Sequence, residues 1–360
     1  MFSLITMNHF RAIKAWADAH GGEARLDIAS FEMEVKARNR YYRLLPQFLH
    51  ESDGRMLHVN TLLPKSTSFI GWRPYQALRL AMSTDKLVFK QAIAAAGLPT
   101  PAHWPSAGDA TTDFILKRSV GSFGYQLAGP FRQGQLPEIP AALSDGRARG
   151  TLFAEAFTPG QIIKAWFWGA QPVHVQSQSY AAVVGDGRTD LHTLVARRLA
   201  EIGETWESYG ERDQISGCLA YQGEDPGAVP AEGHPVWIDY RYGRRFTQQG
   251  NTESQDNVWP SMPDAQREQL LRAGAWLAAA LRAELNAPVL CAMDGVLDAS
   301  GKVWWLELNS NPVCPPTAYF EMLSSLFGTP ANTPPGAFAE VVRATRTAAP
   351  TESSPAELST

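Results

Sequence analysis

Asp294, Glu307 and Asn309 are the residues whose types and spacing most directly suggest chemistry. They fall in the stretch PVLCAMDGVLDASGKVWWLELNSNP, where two apolar runs flank a polar turn around Asp298–Lys302. Alternation along the runs predicts a hairpin. Leu290, Ala292 and Asp294 share one face of its first strand, and Val303, Trp305, Glu307 and Asn309 share one face of its second. Two carboxylates and an amide oxygen then converge at one end of a sheet. Hard oxygen donors of this kind suit Mg²⁺, which takes a few carboxylates and completes its shell with substrate phosphates and water. A generic D…E-x-N pattern is more often the polar end of an exposed hairpin. Here the apolar context of Glu307 and Asn309 makes unpaired carboxylates costly and favours a functional site.

A second cluster lies upstream. DFILK predicts a strand ending at Lys117, followed by the glycine-rich loop RSVGSFGYQ. Gly121 and Gly124 let backbone amides approach closely, so the loop can cradle phosphate oxygens while Lys117 supplies charge. It is neither a Walker loop nor a G-x-G-x-x-G fingerprint. TLFAEAF predicts the next strand, closed by the Pro159–Gly160 turn. Three further positions read two ways. Lys86 in TDK starts a helix, where a lysine is as readily solvated as functional. Lys164 in IIKAWFWG faces phosphate or is a strand-surface lysine. Arg244 and Arg245 supply positive charge to the site or form a solvated basic pair.

These motifs, in this order, resemble the ATP-grasp superfamily from about Thr84 to Pro316, within its glutathione synthetase ATP-binding-like groups. Asp294-Gly-Val-Leu-Asp-x-x-Gly301 and Glu307-Leu-Asn309-Ser-Asn311-Pro312 are similar to its metal-binding strands, and their offset agrees with D-alanine ligases. QSQSYAAVVGDGRTDLHTL is similar to a segment of cyanophycin synthetases. The chain departs from the pattern at Ala292, where D-alanine ligases carry arginine, and at Gln249-Gly250-Asn251 and Val313-Cys314-Pro315-Pro316.

The resemblance implies an ATP-grasp fold of mixed α+β and α/β character, two subdomains clasping ATP behind a divergent N-terminal subdomain. It gives residues 1–83 to that N-terminal part, 84–160 to the small lid subdomain and 161–344 to the catalytic subdomain. It implies Asp294, Glu307 and Asn309 as ligands of two Mg²⁺ ions, with Mn²⁺ as a substitute. Lys86, Lys117 and the loop residues Ser119, Gly121, Ser122, Phe123 and Gly124 would hold the triphosphate. Glu155, Ala156 and Phe157 in FAEAF would hold adenine, and Gln161 stands in the ribose region. Lys164, Arg244 and Arg245 are left for the transferring phosphoryl group. The implied activity is a carboxylate–amine ligase that joins a small-molecule acid, such as an amino acid or peptide, to an amine. It would work through an acyl phosphate and release ADP. A kinase-like phosphotransferase and a nucleotide-binding protein without turnover are the alternatives. Dimers are common in similar enzymes, so a homodimer is the oligomeric state to test.

The elements that must position these groups are less evenly legible. TDKLVFKQAIAAAGLPTP predicts a helix capped by Thr84 or Asp85, with Leu87, Phe89, Ile93 and Ala94 as its apolar stripe. Gly97 and the prolines after it end that helix. IIKAWFWG and PVHVQSQSY predict a hairpin turning near Gly169. AQREQLLRAGAWLAAALRAEL predicts a long amphipathic helix, and Tyr209–Pro235 reads as mostly loop. The first eighty residues show one helix near Asn8–His20 and little else, while 345–360 read as a disordered tail.

Bulk composition agrees with a soluble globular protein of two or three packed parts: 360 residues, 44% hydrophobic and 19% charged. A formal charge of −4 argues against a broad nucleic-acid surface. No apolar run reaches membrane-spanning length, and the start lacks a signal-peptide pattern. Cys218, Cys291 and Cys314 have no metal or redox spacing, so a reduced, cytoplasmic setting is expected.

Overall fold

The computed structural model describes residues 2–52, 55–121, 127–144, 149–242, 246 and 257–328. They fall into two compact units. The first holds the described residues of 1–77 and 313–328, and the second those from 78 to 312. Helices and sheets are mixed, and the sheet ladders of the described residues are antiparallel.

In the first unit, helix α1 (Phe2–Ala19) precedes strands β1 (Glu23–Leu26), β2 (Met33–Ala37), β3 (Arg40–Ser52), β4 (Arg55–Val59) and β5 (Ser66–Arg73). The strands run in the order β1-β2-β3-β4, with β5 also pairing β3. Ala12, Ile13, Trp16 and Ala17 form the buried stripe of α1, and each large apolar group so buried contributes about 1.5–3 kcal/mol.

The second unit opens with α2 (Ala81–Thr84) and α3 (Lys86–Ala95). Next come β6 (His103–Trp104), β7 (Phe114–Arg118), β8 (Leu127–Phe131), α4 (Ala141–Ser144) and β9 (Leu152–Ala156). Its first sheet has the order β6-β9-β7-β8. Asp85 caps α3 by accepting from Leu87 N–H at 2.8 Å. The buried face of α3 is Phe89, Lys90 and Ile93, with a lysine in the stripe and Ala94 exposed.

The hairpin β10 (Gln161–Trp168) and β11 (Gln171–Gln178) follows, then β12 (Ala181–Val184), α5 (Leu191–Ala200), α6 (Arg212–Gln222), β13 (Pro235–Asp239), α7 (Asp264–Leu281), β14 (Leu290–Leu297) and β15 (Val303–Asn309). The central sheet has the order β11-β10-β14-β15, and β12 pairs β13. The expectation of loop over Tyr209–Pro235 is corrected by α6. Ile215, Cys218 and Leu219 are its buried stripe, and Gly223 at φ 78° closes it. Gly210 precedes the helix and Gly217 lies within it, whereas Pro226, Gly227, Pro230, Gly233 and Pro235 all come after that closure. Helix α8 (Ala318–Phe327) ends the described chain and belongs to the first unit.

Candidate functional site

One transverse row of the central sheet gathers the chemistry. Gln176 on β11 pairs with Lys164 on β10, Lys164 with Asp294 on β14, and Asp294 with Glu307 on β15. The neighbouring row is His174, Trp166, Ala292 and Asn309. Residues two apart on a strand share a face, so Asn309 stands beside the carboxylates and Ala292 leaves room between Trp166 and Asn309.

The hairpin differs from simple alternation in one respect. Asp294 pairs with Glu307, but Gly295 pairs with Trp305, so Leu306 has no partner opposite it. This bulge flips the side-chain parity of β15. Val303 and Trp305 are buried on the face opposite the site, where Trp305 packs over Gly295 and against Phe167. The expectation that Val303 and Trp305 share a face with Glu307 and Asn309 is therefore corrected. The bulge lets an aromatic core and an acidic site occupy one short strand.

Lys164 Nζ lies 2.7 Å from Asp294 Oδ1, with its ammonium 5.1 Å from the Tyr242 ring centre and 5.7 Å from that of Trp166. Tyr242 donates its hydroxyl to Gln176 Oε1. Asn309 Nδ2 donates to Asp294 Oδ2 at 3.1 Å. Burial raises the Asp294 pKa, partly opposed by Lys164. Burial acts on Glu307 in the same direction, but the ammonium groups of Lys86 and Lys117 outweigh it and hold that carboxyl below its usual range. Burial and the nearby lysines thus shift the two neighbouring carboxyls in opposite directions, a common property of functional sites.

Lys86 belongs to this site. Its Nζ is 3.3 Å from Glu307 Oε2 and donates to the Gly121 carbonyl at 2.5 Å. The start of α3 fixes the start of the glycine loop: Lys86 N–H donates to Ser119 O at 2.8 Å, and the Ser119 hydroxyl donates to Asp85 Oδ2 at 3.0 Å. Ser119 also accepts from Thr151 N–H. Its buried side chain thus anchors the loop. Asn311 clamps the segment before α2, accepting from Leu78 N–H at 2.9 Å and donating to Leu78 O at 2.7 Å. Met82, Ser83, Thr84, Lys86, Gly121 and Glu307 line a cleft together with Leu308 and Asn309. Its enclosed space is about that of one water molecule, so a nucleotide bound there would extend past this lining.

Lys117 and Glu155 meet directly. Lys117 Nζ is 2.6 Å from Glu155 Oε1, and Lys90 Nζ is 2.6 Å from Glu155 Oε2. Burial opposes ionisation of Glu155, but the two ammonium groups hold its pKa down to about 2. The Glu155 side chain, 1% exposed, is occupied by lysines. Ala156 and Phe157 also use their N–H groups internally, on Ala102 O and Asp113 O, both at 2.8 Å. Phe157 packs among Tyr221, Trp237 and Tyr240. Gln161 bonds Ser177 and falls on the face opposite Lys164. The structure therefore brings Lys86, Lys164, Asp294, Glu307 and Asn309 together and sets Glu155, Ala156, Phe157 and Gln161 outside that group. Ser122, Phe123, Gly124, Arg244 and Arg245 lie outside the described residues.

Sequence reasoning overlooked Lys90, whose burial is set by a carboxylate on another strand. Cys314 packs in the first unit against Gly71, and burial pushes its thiol up to about 11, so it is no nucleophile at neutral pH.

The donors fit a hard divalent cation. Among the described residues no group of three or more His, Cys, Asp and Glu is placed to hold a metal. A cation on Asp294 and Glu307 would therefore draw on the Asn309 amide oxygen and complete its shell with phosphates and water, the pattern of Mg²⁺.

No family model and no curated protein matches the sequence. Solved structures do resemble it. A bifunctional glutathione synthetase from Pasteurella multocida is 15% identical, with 88% of this chain and 43% of that one covered and a TM-score of 0.38. D-alanine–D-alanine ligase from Bacillus anthracis is 12% identical over 74% of this chain and 69% of its own, with a TM-score of 0.35. The ATP-grasp ligase PsnB, complexed with a minimal precursor, is 10% identical over 72% and 60%, with a TM-score of 0.31. The chain spans less than half the length of the glutathione synthetase. Likeness at this level specifies no reaction.

Proposed function

We propose that the protein is an ATP-grasp carboxylate–amine ligase. The observation that carries the reading is the convergence of Lys164, Asp294, Glu307 and Asn309 on one face of the central sheet, with Lys86 closing on Glu307. This is a cation site bordered by ammonium groups, as a triphosphate requires.

Asp294, Glu307 and Asn309 would hold Mg²⁺, which when bound supplies charge neutralisation at the phosphates. Lys86, Lys117 and Lys164 add positive charge around the transferring group and orient it for in-line attack. A carboxylate oxygen attacks the terminal phosphorus, forming one P–O bond as the bond to ADP breaks. The resulting acyl phosphate carries a good leaving group. An amine nitrogen then attacks the carbonyl carbon, phosphate departs with the C–O electron pair, and the nitrogen loses a proton. Loop residues from Ser119 onward would keep water from the acyl phosphate.

The test is ADP release against pooled amino acids and peptides, with hydroxylamine as amine surrogate. A hydroxamate formed with ADP supports the ligase. A stable phosphorylated product instead favours phosphotransfer, and stoichiometric AMP with pyrophosphate refutes the acyl-phosphate route.

A further inference from the structure

We propose that Lys90 is a positioning residue that keeps the charge of Lys117 available to phosphate, acting through Glu155; this rests on the nucleotide reading above. Lys90 lies in the buried stripe of α3, where the helical pattern calls for an apolar side chain, and it is 0% exposed. Its ammonium donates to Thr100 Oγ1 at 3.0 Å and Pro101 O at 3.2 Å and forms an ion pair with Glu155 Oε2 at 2.6 Å. Burying an ammonium is costly, and buried ionic groups are often replaced by apolar ones without loss of stability. Packing alone gives no reason for a lysine here.

Charge does. Glu155 alone with Lys117 would form a neutral pair, a poor attractor of phosphate. Lys90 gives the same carboxylate a second cation, so the triad carries one net positive charge. Of the two lysine side chains, Lys117 is 8% exposed and Lys90 0%, so the surplus is offered to an anion at Lys117. Holding Oε2 also turns Oε1 toward Lys117 and fixes that side chain.

Calorimetry with MgATP and with adenosine on the full chain tests this. Lys90→Met should weaken MgATP about tenfold or more, the equivalent of about 1.4 kcal/mol, while adenosine affinity changes less than about twofold. The same substitution in a Glu155→Gln background should cost under about threefold, because no carboxylate remains to cancel Lys117. A loss equal in both backgrounds would mean that Lys90 acts on phosphate by itself and overturns the proposal. So would unchanged MgATP binding by Lys90→Met, or equal losses for both ligands. If Lys90→Met alone does not fold, the two proteins that carry Glu155→Gln, with and without Lys90→Met, decide, and a tenfold difference between them refutes the proposal. Wild-type protein that binds no MgATP overturns the nucleotide reading and this inference together. Wild-type binding with unmoved variants overturns the inference alone.

Discussion

Glu307 and Glu155 are both carboxylates among lysines, and burial separates their roles. Glu307 borders the cleft with Lys86 at 3.3 Å, so its charge is open to a cation. Glu307→Gln should lower MgATP-dependent ADP release at least ~100-fold, in line with the several kcal/mol a metal contributes at a transition state, with little change in melting. Wild-type turnover in this variant would remove the metal assignment. Glu155 is sealed between two ammonium groups, and its effect is on stability. Its folded pKa is about 2 against an ordinary value of 4.5. Below pH 4.5 the unfolded chain takes up a proton that the folded chain refuses until about pH 2. Stability from Glu155 is therefore present above 4.5 and lost on descending through that window, by about 3 kcal/mol. Glu155→Gln should be about 3–5 kcal/mol less stable at neutral pH, and the gap should shrink as pH falls from 4.5 toward 2. Urea midpoints across that range decide; parallel acid limbs would show that Glu155 is not the titrating group. Asp294, Glu307 and Asn309 were legible in the sequence because polar groups in an apolar strand need a reason. Lys90 was not, because a lysine in a helix reads as solvated until its carboxylate on β9 is known.

At the scale of elements, the site depends on how α7 holds the central sheet. Ala in place of Gly within an exposed helix stabilises by about 1 kcal/mol. At Gly274 the sign reverses. A Cβ there would stand 2.2 Å from Ala170 O and 2.9 Å from Phe167 Cδ1, and backbone in the β10–β11 hairpin cannot yield cheaply. Gly274→Ala should lose about 1–3 kcal/mol by overpacking and weaken MgATP through displacement of the strand that carries Lys164. A raised urea midpoint would show that helix and hairpin are not in close contact. The same hairpin was readable from alternation and the turn at Gly169, as was β14–β15. The bulge at Leu306 was not, since nothing in the stretch WLELN marks which residue loses its partner. Strand β3 was hidden for a related reason: its first residues, Arg40–Arg43, lie on or near the surface and its middle is buried on both sides, so no period of two shows.

At the scale of the whole molecule, the first unit is closed by long-range contacts that no local pattern encodes. His9 Nδ1 shares a hydrogen bond with the Tyr319 hydroxyl at 2.8 Å, and Trp16 Nε1 donates to Ser324 Oγ at 3.0 Å. These pairs are 310 and 308 residues apart in sequence, and His9 is kept neutral by burial, with a pKa lowered to about 3. The candidate site, by contrast, is composed of second-unit residues. The two units should therefore respond differently to nucleotide. A ligand that binds only the folded site slows every opening that destroys the site, by about 2.7 kcal/mol at a hundred times its dissociation constant. Openings that leave the site intact are unaffected. Hydrogen exchange with MgATP at that excess should slow amides of α3, β10, β14 and β15 by about a hundredfold where they exchange through site-breaking openings. Amides of α1, β3 and α8 that exchange through openings of the first unit alone should keep their rates. Adenosine without metal should protect far less at β14 and β15, because Asp294, Glu307 and Asn309 address a cation and its phosphates. Protection confined to the first unit would move the binding site away from the central sheet, and equal protection by adenosine would separate the carboxylate row from nucleotide binding altogether.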